Sequence, residues 1–260
     1  MIWATNEYLL FAILLGCTVV VMELGFKLGR WCNLTRHAQV TPHWDSMQAA
    51  VLGLLALLLG FTFSMSVQRY DLRKAEILEE VTLISDAYDL ADFLPPAQQA
   101  EFRSNLKAFL DARIGFYEQG SQTDQLSAIQ NKTSQAQSAL WQQVVAALHD
   151  QPTSIGLGQL AAKVNDLSDV SERSRALLDN HVPEAVLYML FGVSLIGIGF
   201  VAVGYGMANE RRHYSTALFA FVLTLVLLII LDIDRPHRGL VQISDSIMLR
   251  QQHMFETPSQ

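Results

Sequence analysis

The sequence predicts an all-α membrane protein with four membrane-spanning helices and a helical soluble domain between the second and third spans. Four uniformly apolar stretches lie in two pairs, and each is close to the ~20 residues that a helix needs to cross a bilayer. A long polar segment separates the pairs, and its apolar residues recur at the three-to-four spacing of amphipathic helices. No part of that segment alternates apolar and polar residues as a strand would.

The first pair of spans makes a hairpin within residues 1–67. Its members are Tyr8–Gly25 and Ala49–Val67, and the second contains no charged residue. The amino-terminal stretch lacks the basic leader and small-residue cleavage site of a secretory signal, so we expect the first span to be retained. Trp31 and Trp44 flank the connection, where they suit a membrane interface.

Residues 68–184 are predicted to form four helices. The first continues from the second span without a break and ends at the Pro95-Pro96 pair, because the residue before a proline disfavours helix. The segments GSQTD and DQPTSIGLG separate the later helices. The predicted core positions are Ile77, Val81, Ile84, Tyr88, Ala91, Phe102, Leu106, Phe109, Ile114, Leu126, Ile129, Leu140, Val144, Leu148, Leu160, Val164, Leu167 and Val170.

The second hairpin covers residues 185–233, and a polar tail, 234–260, follows it. Its spans, Ala185–Ala208 and Ser215–Ile233, are joined by the short NERRHY segment. The third span carries glycines in two lines at a spacing of seven, which are Gly192, Gly199 and Gly206, and Gly197 and Gly204. Glycine lets helices approach closely in lipid, so these lines predict either packing within the chain or a contact between subunits.

Charge and motifs exclude several classes of function. The net charge of −7 arises within residues 68–184, which hold 10 Lys and Arg against 17 Asp and Glu, so we expect no nucleic-acid partner. The chain has no P-loop, nucleophile elbow or zinc-protease motif, which predicts that it is not an enzyme and binds no cofactor. His37 and His43 are interpreted as solvated loop residues, and Cys17 and Cys32 are not expected to pair.

The second span has one face of mixed character. Gly53, Leu57, Phe61 and Ser64 follow that face, and Thr62 and Ser66 lie beside it. Such a face could line a water-filled path in which an apolar ring gates by dewetting. The alternative is that the hydroxyl groups bond to their own helix backbone.

These residues resemble a known family. In LLGFTFSMSVQRYDLRKA, a Leu-Gly-Phe is followed by Arg69-Tyr70 and then by Arg73. This resembles the second helix of the bestrophin anion channels, and the layout of spans and soluble region is also similar. The chain more closely resembles the bacterial bestrophin-like membrane proteins, with which it shares Leu-Gly-Phe-x-Phe-Ser, the Arg-Tyr and a tail like DRPHRGLVQIS.

The resemblance implies a pentameric channel for anions such as chloride, with an apolar neck on the second span. The implied neck residues are Leu57 and Phe61. The implied lining residues are Gly53, Thr62, Ser64 and Ser66, and the implied cationic mouth is Arg69, Arg73 and Lys74. Salt bridges within a structural ring are the alternative role for those charges.

The expected partners are the lipid bilayer, further copies of the chain and inorganic anions. The resemblance implies a multi-pass protein of the bacterial inner membrane with its central domain in the cytoplasm. A second functional hypothesis remains open, which is a non-conducting sensor or scaffold whose helical domain binds a ligand or partner. A ring of five copies around the second span would favour the channel, and a dimer joined along the glycine lines would not.

Overall fold

The computed structural model describes residues 7–36, 42–119, 123–179, 182–208, 213–234 and 246–256, and they are helical almost throughout. The helices are α1 (Glu7–Arg36), α2 (Pro42–Leu90), α3 (Pro96–Gln119), α4 (Thr123–Asp150), α5 (Ile155–Asp179), α6 (Glu184–Met207), α7 (His213–Ile233) and α8 (Ser246–Glu256). A short 3₁₀ helix, Ala91–Phe93, follows α2. These ranges contain no strand, which confirms the all-α prediction.

Within the described ranges, four helices are long and apolar enough to cross a bilayer. They are α1, α2, α6 and α7, in the order that the sequence predicted. α2 is a single helix of 49 residues, because neither proline nor a glycine pair interrupts it before Pro95. The predicted continuity of the second span with the first helix of the soluble domain is therefore confirmed.

The chain divides into two compact units. The membrane unit comprises residues 1–68 and 181–235, and the helical unit comprises residues 69–180 and 236–260. The core of the membrane unit combines side chains of α2, α6 and α7, which are Leu55, Leu190, Ile198, Ala220, Leu223, Leu227 and Ile230. At the ends of the second hairpin, the Val182 amide donates a 2.8 Å hydrogen bond to the buried Asp234 carboxylate.

α1 and α6 approach at backbone distance within the membrane unit. A Cβ on Gly206 would overlap the carbonyl oxygen of Phe26, and a Cβ on Gly29 would overlap that of Val203. Gly25 lies four residues before Gly29, so α1 carries the small-x-x-x-small spacing that suits close helix contact in lipid. The glycine spacing of α6 predicted its side of this contact, whereas the α1 side was not predicted.

The glycine lines of α6 face two different helices. Gly199, like Gly206, lies against α1, whereas Gly197 and Gly204 lie against α2. A Cβ on Gly192 would have no atom of the described chain within 4 Å. Packing within the subunit therefore accounts for every glycine of the two lines except Gly192.

The helical unit has one continuous core. All of the core positions predicted from the sequence lie in it or pack against it. The unit also includes α8, which lies where the sequence analysis expected only a polar tail. Met248 of α8 is fully buried, Phe255 stacks on Tyr88 with ring centroids 4.3 Å apart, and the Gln252 amide donates a 2.7 Å hydrogen bond to Asp111.

The connections differ from the prediction in extent. α1 continues to Arg36, well past the predicted end at Gly25. Phe26 and Gly29 still lie against α6, so packing between the two helices stabilises the extra turns. His43 belongs to the first turn of α2 and not to a loop. His37, residues 120–122 of the predicted GSQTD turn and residues 209–212 of NERRHY lie outside the described residues.

Candidate functional site

One side of α2 is exposed along the membrane unit. Gly53, Leu57, Phe61 and Ser64 all lie on this side, with Leu57 54% and Phe61 63% exposed. Steps of four, four and three residues keep these positions on one face of a helix. Together with Gly60, which is also exposed, they form what we call the α2 stripe.

The α2 stripe is uncharged and open at its glycines. A Cβ on Gly53 or Gly60 would have no atom of the described chain within 4 Å. Packing within the subunit therefore does not explain why either position is a glycine. A glycine at an exposed site in a span leaves room for close approach of another helix or for solvent.

Thr62 and Ser66 lie on the opposite side of α2 from the α2 stripe. They are 3% and 0% exposed, and the Thr62 hydroxyl donates a 2.8 Å hydrogen bond to the Leu58 carbonyl. Nine and thirteen residues separate them from Gly53, which turns both side chains into the subunit at about 100° per residue. Of the four predicted lining residues, the subunit therefore buries Thr62 and Ser66 and leaves Gly53 and Ser64 exposed.

The three predicted mouth cations also have different surroundings. Arg73 is buried in the helical unit, and its Nε donates a 3.3 Å hydrogen bond to the Leu177 carbonyl in the last turn of α5. A cation at this end of a helix satisfies free carbonyl groups and complements the helix dipole. Arg73 thus has a structural role, whereas Arg69 is half-buried and Lys74 is exposed.

A buried polar cluster in the helical unit escaped the sequence analysis. The Glu80 carboxylate of α2 accepts hydrogen bonds from Arg113 Nη2 at 3.1 Å and from the Tyr117 hydroxyl at 3.0 Å, both on α3. Ser171 of α5 donates a longer hydrogen bond to the same carboxylate, at 3.5 Å. We call these four residues the Glu80 cluster. It ties α2, α3 and α5 together.

Electrostatics keep the guanidinium and the phenol of the Glu80 cluster protonated. Burial lowers the pKa of Arg113, but the facing Glu80 carboxylate and Tyr117 outweigh it and leave that pKa raised. Burial and the Glu80 charge both raise the pKa of Tyr117 above its ordinary value. Neither group changes protonation near neutral pH, so the cluster is suited to holding helices and not to carrying protons.

One sequence signal could have revealed this cluster. Glu80 follows Ile77 by three residues and precedes Ile84 by four, so it lies on the apolar face of its helix. A carboxylate in such a register requires a buried cation.

Within the described residues, no group of three or more His, Cys, Asp or Glu side chains could hold a metal ion.

Comparisons with known proteins agree on one family. A model of the bestrophin-like domain matches residues 36–248. Two crystal structures of a bacterial bestrophin homologue from Klebsiella pneumoniae are 14% and 17% identical to the chain, with TM-scores of 0.70 and 0.67. In both cases the match covers 94% of this chain and 97% of the other.

A further crystal structure, described as that of a membrane protein, has a similar fold. It is 14% identical, covers 96% of this chain and 98% of its own, and has a TM-score of 0.72. No curated protein matches the chain. At these identities the structural likenesses concern the fold.

Proposed function

The chain belongs to the bestrophin-like family, and from this membership and the geometry of α2 we propose that it forms an oligomeric membrane channel for small anions such as chloride. The observation that carries the proposal is the α2 stripe. The stripe is exposed and uncharged, its side chains differ in size, and it lies on one unbroken helix in the membrane unit. A face directed only at lipid would have no need for the two open glycines or for Ser64.

Within this proposal, Leu57 and Phe61 form the neck. Their side chains are the large exposed apolar groups of the stripe, and an apolar constriction excludes water until it widens. Gly53 and Ser64 line the path on either side of the neck. Arg69 and Lys74 supply positive charge just beyond the span. Arg69 lies on the side of α2 that carries Thr62, so it favours anions through its electric field at the end of the path and not by lining it.

The proposed assembly is a closed homo-oligomer, with five copies around the α2 helices. Gly60 supports it, because it lies at one edge of the stripe and its open surroundings admit a helix from a neighbouring copy. We assign the protein to the bacterial inner membrane with the helical unit in the cytoplasm. The larger number of Lys and Arg residues outside the two helix connections supports that orientation.

Chloride flux through reconstituted vesicles tests the path. Leu57→Ala combined with Phe61→Ala should raise flux severalfold, because a wider neck stays hydrated. Phe63→Ala is the matched control, since Phe63 lies on another side of α2, two residues from Phe61, and is also exposed. The control should leave flux at the level of the parent protein.

The same vesicles test selectivity. Arg69→Ala should lower the preference for anions over cations, because it removes positive charge at the end of the path. If the parent protein and the neck variant both remain impermeable while their oligomer is intact, the channel proposal fails. That result would favour the alternative, a non-conducting sensor or scaffold in which the helical unit binds a ligand or partner.

A further inference from the structure

The membrane unit has an apolar groove away from the α2 stripe. The groove has a volume of about 710 Å³ and lies between α1, α6 and the start of α2. Such a volume is within the range of roughly 300–1,000 Å³ that is common for ligand sites. Trp44 stacks on Phe200 at 5.0 Å between ring centroids and forms one wall, and Gly199 also lines the groove.

The groove follows one half of two helices. Its lining extends from Val21 to Cys32 on α1 and from Leu195 to Met207 on α6. In each helix this range begins near the midpoint and ends near the carboxyl end. At a rise of 1.5 Å per residue each range covers roughly 17 Å, about half of the ~30 Å thickness of the hydrocarbon. The groove therefore has the depth of a single leaflet.

The lining suits a thin apolar chain better than a helix. Large side chains, among them Leu28, Ile196 and Phe200, border the groove, whereas helices that associate in lipid meet through small residues. Trp31 directly precedes Cys32 of the lining and is 60% exposed, and Lys27 is also exposed. Tryptophan and lysine at the end of a span mark the level of lipid headgroups.

We propose that this groove binds one acyl chain of a phospholipid from the leaflet in which α1 and α6 end, with the headgroup beside Trp31 and Lys27. The site requires only that the chain spans a bilayer, so it is independent of ion conduction. The competing occupant is a second copy of the protein. A lipid and a second copy predict different surroundings for Trp44.

Tryptophan quenching by brominated acyl chains tests the proposal. Trp3→Phe, Trp31→Tyr and Trp141→Phe leave Trp44 as the single tryptophan of the full-length protein, and Trp31→Tyr keeps an interfacial aromatic side chain beside the headgroup. In vesicles of phosphatidylcholine and phosphatidylglycerol with brominated chains, Trp44 should be strongly quenched. Adding Gly199→Leu should weaken the quenching at least twofold, because the new side chain fills the groove.

Two further variants accompany Gly199→Leu: a matched control outside the groove and a second substitution within it. A Cβ on Gly199 meets only the Val21 side chain, at an ordinary 3.5 Å, and Gly192→Leu changes the same glycine line outside the groove. Gly192→Leu should preserve the quenching. Ile196→Asn places a polar group on the exposed wall and should weaken the quenching even if Gly199→Leu does not fold.

Two results would overturn the proposal. One is quenching that Ile196→Asn and a folded Gly199→Leu leave unchanged. The other is an unquenched Trp44 in the parent background together with a crosslink to a second copy from a photoreactive side chain introduced at position 196, which would assign the groove to a neighbouring subunit. Neither result bears on chloride flux, so the lipid site and the channel can fail separately.

Discussion

Glu80 occupies a position on α2 where the spacing of apolar residues predicts an apolar side chain. Its side chain is fully buried, and its carboxylate depends on Arg113, Tyr117 and Ser171 for hydrogen bonds. Moving a charge out of water is costly, and the opposite charge together with the hydrogen bonds offsets that cost. The cluster therefore specifies how three helices meet more than it increases their stability.

Removing one partner of this pair should be strongly destabilising. Glu80→Ala leaves Arg113 buried without its counter-charge, which we expect to cost about 3–5 kcal/mol. Thermal unfolding of the full-length protein in detergent measures the effect. Glu79→Ala is the control, because Glu79 is exposed and its ion pair with Arg173 lies at the surface, so its melting temperature should stay close to that of the parent.

A companion variant separates charge from packing. Glu80→Leu with Arg113→Met removes both charges and keeps apolar volume, so it should recover much of the stability that Glu80→Ala loses. Equal melting temperatures for Glu80→Ala and the parent would contradict the role assigned to the cluster.

Alkaline pH should expose the contribution of Tyr117. Its pKa is raised above 10.0 in the folded protein, so the folded state holds the phenolic proton more tightly than the unfolded state. The stabilisation is complete below about pH 10 and is lost as pH rises towards the folded pKa. The advantage of the parent over Tyr117→Phe in melting temperature should thus be constant between about pH 7 and 9 and shrink above about pH 10. A constant advantage at all pH values would contradict the assignment.

At the scale of elements, strong local patterns made the helices predictable. The spans are apolar on every side, and the helices of the helical unit keep a regular apolar face. α8 also has an apolar face, with Met248 in the core and Ile247 and Phe255 packed against it, but at 11 residues it is too short for that face to be distinctive in the sequence. Its partner Asp111 precedes Gln252 by 141 positions, so only the folded chain reveals that the segment has a surface to pack against.

Close packing of α1 on α6 predicts which glycine tolerates a side chain. Gly206→Leu forces a Cβ into the α1 backbone, where no flexible atom can yield, so it should lower the melting temperature in detergent and the yield of folded protein. Gly192→Leu, on the same line of α6, has open space and should have a small effect. Similar losses for both variants would contradict the assigned contact.

At the scale of the whole molecule, the candidate path was only partly predictable. Helical spacing shows that Thr62 lies on a different side of α2 from Gly53, Leu57, Phe61 and Ser64. It does not show which side is exposed, because packing within the subunit determines that. Arg73 looked like a mouth cation because its partner, the end of α5, is remote in sequence. Contacts between copies determine what covers the α2 stripe, and a single chain's periodicity does not encode them.

The proposed assembly leads to a direct measurement. Native mass spectrometry of the detergent-solubilised protein should give a single closed oligomer, five copies by our proposal, since cyclic symmetry leaves no unpaired face. Gly60→Leu should reduce the oligomer in favour of smaller species, because it fills space that the subunit itself leaves open. A parent protein that is only monomeric would contradict the assembly and, with it, the shared path along α2.

The Glu80 cluster also restricts how this sequence can drift over generations. A single substitution at Glu80 or Arg113 leaves one buried charge without its partner. Because the free energy of unfolding of most proteins is only about 5–15 kcal/mol, such a form is strongly disfavoured. The apolar alternative is reachable only when both positions change nearly together. Descendants of this chain should therefore inherit the carboxylate and the guanidinium as a pair or lose them as a pair.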